Sequence, residues 1–201
     1  MMQRTGSRFG LLGIAALALL VSGCGTIKYM QEMPAGTAVK APAPGKAVVV
    51  FMRSSFLGQA ISSSVFEIRN DNPVLVGLVA NKTMVAYEVD AGRRLFMTVS
   101  ESADYMSADL APGRTYYAFV TPRMGAFRAR FSLAPVKKGG EFSKDAESCL
   151  RECRQVANTP ESEGWARENM ADIRSKHTEN YPRWNQKPEN EKPHLAHGDA
   201  I

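Results

Sequence analysis

Cys149 and Cys153, four residues apart, are the closest the chain comes to a reactive pair. On a helix this spacing puts both sulfurs on one face. A bridge needs Cα atoms within about 4.4–6.8 Å and suitable dihedrals, which an unstrained helix meets only at its margin. The pair reads as either a disulfide or two buried thiols, and nothing around it marks a low-pKa thiolate for redox work. His194-x-x-His197-Gly-Asp199 carries imidazole and carboxylate groups of the kind that suit zinc or nickel. It sits in a polar tail where ligands are poorly pre-organised, so solvated histidines are expected, with no metal and no cofactor. Hydrolysis would need a nucleophile, a base and an orienting group together. All three histidines, His177, His194 and His197, fall in the C-terminal third, and Glu67, Glu88, Asp90, Glu101 and Asp104 stand singly. The chain therefore reads as non-catalytic. Arg93, Arg94, Arg128 and Arg130 remain: sharing one face, their guanidiniums would meet an anionic ligand through bidentate contacts, whereas otherwise they are a solvated sheet surface.

The elements that carry these residues follow from periodicity and punctuation. Lys46 to Arg53 (KAVVVFMR) is a β-branched apolar run, expected to be a strand buried on both faces. Ser63 to Arg69, Val74 to Ala80, Thr83 to Val89, Arg93 to Ser100, Arg114 to Thr121 and Phe127 to Leu133 are each rich in strand formers. In the last, Phe127, Ala129, Phe131 and Leu133 alternate with Arg128, Arg130 and Ser132, so one face is dry and the other wet. Asn70-Asp71-Asn72-Pro73, Asn81-Lys82, Asp90-Ala91-Gly92 and Ala111-Pro112-Gly113 supply the turns. With no room for crossover helices, the fold class is mainly β, an antiparallel β-sandwich of about seven strands over residues 46–137.

After Lys137-Lys138-Gly139-Gly140 the pattern turns helical, and residues 138–201 read as a helical C-terminal extension and tail. Ser143 to Ala157 carries Ala146, Leu150, Cys153 and Ala157 on one stripe. Thr159-Pro160-Glu161 is a helix start, and Pro182 is the expected end. The helix between them presents Ala166, Met170, Ile173 and His177 on one face. Trp184 pins the beginning of the tail, which then continues as an extended or disordered strap.

The other end of the chain decides where the protein lives. Arg4 and Arg8 precede an apolar segment, Phe9 to Val21, closed by Ser22 and Gly23, the three parts of a secretory leader. The apolar run is short for a membrane span, which needs roughly 20 residues. Val21-Ser22-Gly23-Cys24 resembles the bacterial lipobox. The resemblance implies that residues 1–23 are a lipoprotein signal peptide and that the Cys24 sulfur takes a covalent lipid, usually with a further acyl chain such as palmitate on the new amino terminus. Two chains hold a protein stably on a membrane, since each buried methylene contributes about 0.8 kcal/mol. Cys24 consumed, the remaining cysteines are an even pair, which favours the bridge. Gly25, in place of the Asp that often signals inner-membrane retention, implies the outer membrane, facing the periplasm. Residues 24–45, rich in Pro, Gly and Ala, read as a lipidated tether reaching up to ~65 Å. The net charge of +5 falls to +3 when Arg4 and Arg8 leave with the leader. No basic run marks nucleic-acid binding.

Pro44-Gly45-Lys46-Ala47 leading into a strand that ends in Arg53-Ser54-Ser55, then Val89-Asp90-Ala91-Gly92, then Ala111-Pro112-Gly113-Arg114-Thr115-Tyr116-Tyr117, are similar to a bacterial lipoprotein family classed only as a domain of unknown function. The resemblance covers roughly Pro44 to Pro135 and implies a transthyretin-like or carboxypeptidase-regulatory-like β-sandwich with no established catalytic residues. The expectation is a membrane-anchored, non-catalytic binding or structural module of the cell envelope. Its partners are the membrane, through the anchor, and an envelope protein or an anionic polymer such as lipid A. Two alternatives stand beside it: an enzyme or enzyme accessory acting on an envelope polymer, and a surface adhesin-like module using an exposed strand edge.

Overall fold

A computed structural model describes residues 28–55, 61–123 and 130–200. Two sheets face each other. The first has the order β1 (Met30–Glu32), β10 (Arg154–Asn158), β5 (Thr83–Asp90), β2 (Lys46–Arg53), β8 (Thr115–Arg123), β9 (Arg130–Pro135). The second runs β11 (His194–Leu195), β7 (Ala103–Leu110), β6 (Gly92–Val99), β3 (Ser63–Arg69), β4 (Asn72–Val79). Helix α1 (Ser143–Glu152) covers the outer face of the first sheet, and α2 (Pro160–Asn185) covers that of the second.

The layering follows from where apolar side chains can hide. Val49 and Phe51 of β2 point between the sheets toward Phe96, Met106 and Tyr116, with the Phe51 and Phe96 rings edge-on at 5.1 Å. Val48, Val50 and Met52 point the other way, against Ala146, Cys149 and Cys153. The two-sided burial expected of this strand is present. On the far side Phe66, Met97 and Tyr105 receive Ala166, Ile173 and Trp184 of α2. Helix α2 starts as its residues dictate: the Thr159 hydroxyl accepts from the Ser162 backbone N–H, Ser162 returns the contact, and Pro160 occupies the first turn.

Several expectations are corrected. The sandwich is mixed rather than antiparallel, because β2 with β8, β5 with β10 and β7 with β11 pair in parallel. Each parallel pair joins segments far apart in sequence, and the β2-to-β8 return runs through the second sheet instead of a helix. An eighth strand in the central region, β7, takes up Ala103–Leu110. The stripe from Ser143 to Ala157 is helical only to Glu152; after Cys153, Arg154–Asn158 form β10, which gains ladder hydrogen bonds between β1 and β5, and Leu150 lies exposed. Pro182 sits inside the last turn of α2, where its missing N–H breaks only one bond while Tyr181 and Trp184 keep packing. The segment expected as a lipidated tether, residues 24–45, belongs to the fold from Lys28 on. Its β1 pairs with β10, and the Ala43 N–H donates to Glu88 at 2.9 Å. The tail is equally committed, with Leu195 fully buried between the sheets.

Candidate functional site: a charged cleft at one end of the sandwich

Alternation along β3 sends Val65 and Glu67 inward while Phe66 and Ile68 face α2. Glu67 is thus a carboxylate only 2 % exposed at the rim of the core, where an unpaired charge would cost several kcal/mol. It is fully engaged instead. Arg69 Nε donates to Glu67 Oε2 at 2.6 Å, Tyr87 Oη donates to the same oxygen at 2.7 Å, and Arg94 Nε lies 3.7 Å from Oε1. The Arg69 terminal nitrogen in turn donates to Tyr87 Oη at 2.8 Å. The hydrogen bond to Glu67 holds the Arg69 guanidinium above its ordinary pKa, and burial, reinforced by Glu67, pushes the Tyr87 phenol well above its own. The cluster ties one sheet to the other at this end.

Around it opens a cleft of about 990 Å³ between the rim of β3 and β6 and the C-terminal part of the chain. On its outer side Arg93 and His194 both approach Asp109, at 3.5 and 3.6 Å, and Ser107 Oγ is 2.9 Å from His194 Nδ1. Toward the end of α2, Lys192 meets Glu189 at 2.8 Å and stands 5.4 Å from the Trp184 ring centre; that contact draws the Glu189 carboxyl below its usual range. Asp90 is likewise lowered by the Lys46 ammonium at 2.5 Å. The lining carries both signs in near balance, so it can pair with a ligand's cationic and anionic groups by exchange of partners. Arg93, with 89 % of its side chain exposed, is the cation most open to an incoming anion.

Of the arginines singled out from sequence, Arg93 and Arg94 both line this cleft, but as consecutive residues of β6 they project to opposite faces. Arg130 lies elsewhere, on β9 opposite Arg123 and 3.5 Å from Glu101, so no single face gathers the set. Arg128 and Cys24 lie outside the described residues. Cys149 and Cys153 are joined as a disulfide, with Cα atoms 4.8 Å apart, at the end of α1 where Cys153 has already left the helix. That departure from helical geometry lets the pair close. His194 is tied to β7 rather than solvated in a tail, and among the described residues no three metal-binding side chains converge.

Glu67 and Tyr87 were not paired from sequence. The available signal was a carboxylate on the dry face of an alternating strand, which demands a partner; which partner depends on sheet order. No family model matches the chain, and no curated protein matches it in sequence. Among the described residues no helix is long and apolar enough to cross a membrane.

Proposed function

We propose that the protein is a lipid-anchored module of the bacterial cell envelope, held on the outer membrane through Cys24 and facing the periplasm, that binds an envelope protein or anionic polymer without chemical turnover. The observation that carries the reading is the leader pattern closing on Val21-Ser22-Gly23-Cys24, followed six residues later by the first strand of the domain. A structured domain starting that close to the lipobox cysteine suits a chain that works beside a bilayer. The charged cleft supports a binding role, since its ionisable groups are held in mutual pairs and Arg93, though it approaches Asp109, is its most exposed cation. Within this reading the domain belongs with the transthyretin-like lipoprotein family that residues 44–135 resemble.

The test is fractionation of cells producing the full chain or its Cys24→Ala variant. The unmodified protein should pellet with membranes and resist a high-salt wash, and the variant should be released; a variant that remains membrane-bound removes the basis of the proposal.

One observation favours a second reading, an accessory to an enzyme of envelope polymer. Convergent polar side chains, Glu67 with Arg69 and His194 with Asp109, line one groove between sandwich and extension. Incubation with isolated envelope polymer, followed by mass analysis of released fragments, separates the two: the binding reading expects retention without cleavage.

A further inference from the structure

At the end of the second sheet opposite the cleft lies a smaller groove of about 650 Å³. Strands β3 and β6 connect the two: Ser64 and Val99 line the groove, while Glu67 and Arg94 line the cleft. Helix α2 spans the same distance, with Trp165 at the groove and Trp184 at the cleft. The groove is the place where the described chain begins, since Lys28 and Tyr29 form part of its wall.

Its rim is unlike the rest of the surface. Ile61 is 43 % exposed and is one of two exposed large hydrophobic side chains among the described residues. Trp165 is only half buried, Lys28 Nζ lies 4.6 Å from the Tyr29 ring centre, and Lys176 reaches the Ser100 carbonyl at 2.8 Å. Asp172, 2.8 Å from Lys176, is the acidic side chain in the lining. Tryptophan, tyrosine, an aliphatic side chain and lysine together are what the boundary between headgroups and acyl chains accepts.

Chain length turns this composition into a location. Tyr29 is the fifth residue after Cys24, and a fully extended chain gains at most ~3.6 Å per residue, so its Cα stays within about 18 Å of that of Cys24. A long tether would have left the orientation free, but β1 removes it. We infer that the groove face around Tyr29, Ile61 and Trp165 lies against the phospholipid surface that holds the anchor, with Lys28 and Lys176 toward the headgroups. The inference rests on the proposed lipidation of Cys24. Each contact is weak alone, and the anchor makes them effective by converting docking into an intramolecular event. Trp165 and Trp184 are nineteen residues apart on α2, about 29 Å, so the charged cleft is then carried to the side away from the bilayer, open to a partner.

The test uses native lipidated protein reconstituted into phosphatidylethanolamine–phosphatidylglycerol vesicles, with and without brominated acyl chains. A Trp184→Phe variant reports Trp165, and a Trp165→Phe variant reports Trp184. Trp165 emission should drop in brominated vesicles while Trp184 emission stays unchanged. Ile61→Glu, at an exposed position that leaves the core intact, should abolish the drop without detaching the protein. Protein that floats with the vesicles yet shows no quenching of Trp165, or equal quenching of both tryptophans, overturns the docking and leaves the anchor standing. Protein that fails to float overturns the anchor reading and the docking with it.

Discussion

Tyr105 Oη lies 3.0 Å from His177 Nδ1, joining the middle of β7 to α2 through one hydrogen bond between two buried side chains. Tyr181 and Trp184 pack against the same tyrosine, their ring centres 5.4 and 5.5 Å away. Burial lowers the His177 pKa, and the more distant Asp71 carboxylate opposes this only in part. The folded state therefore prefers neutral imidazole. Above the ordinary histidine value of about 6.5 the group is neutral folded or unfolded, and as pH falls below it the unfolded chain takes the proton first. Stability should fall as the pH drops below about 6.5, with a slope of up to about 1.4 kcal/mol per pH unit from this residue. Urea unfolding across that range measures the slope. His177→Gln should flatten it, and an unchanged slope in the variant would remove His177 as its source.

Glu67→Gln keeps the shape of the buried side chain but replaces an acceptor with a mixed donor and acceptor. Arg69 and Tyr87 both donate to one carboxylate oxygen, so the amide leaves at least one contact weakened. The expected cost is about 1–3 kcal/mol, since the contacts are partly open to water through the half-exposed Arg69. Denaturant midpoints measure it, and no loss would show that the cluster does not join the sheets.

How much of this was legible in the residues depends on range. Seven strands and the start of α2 announce themselves locally, through β-branched runs, turn residues and the Thr159-Pro160 cap. Strand β7 does not, because Ala103, Asp104, Ser107, Ala108 and Asp109 are poor strand formers; its place comes from pairing with β6 on one side and β11 on the other. Residues 154–157 continue a helical stripe, yet the free edge of β5 draws them into a strand, a tertiary override of local pattern. The cleft was visible only in part. Arg93 and Arg94 could be named, but Asp109 and Glu67 meet them through strand pairing and sheet order, which no spacing encodes.

The C-terminal tail is part of the core. Leu195 is fully buried between the sheets, and the Ser107 N–H donates to the Pro193 carbonyl at 3.0 Å. Leu195→Ala should cost about 2–5 kcal/mol, as for other buried leucines. Thermal unfolding checks this; a change within error would mean that the strap is dispensable.

The Cys149–Cys153 bridge closes a loop of only five residues, and the chain-entropy relation assigns such a loop about 2 kcal/mol. Its position matters more than its size, because it fixes the point where α1 gives way to β10, the partner of β1. Reduction should lower the urea midpoint modestly and raise hydrogen exchange in residues 154–158 and 30–32 first. Loss concentrated in another part of the molecule would separate the bridge from this junction.

A lipid attached to the Cys24 sulfur is the premise of the proposed envelope role. Intact-mass analysis of protein purified from its native membrane tests that directly. The result in agreement is a chain beginning at Cys24 and heavier than residues 24–201 by its diacylglyceryl and acyl groups. A chain of bare polypeptide mass, or one still carrying residues 1–23, contradicts it.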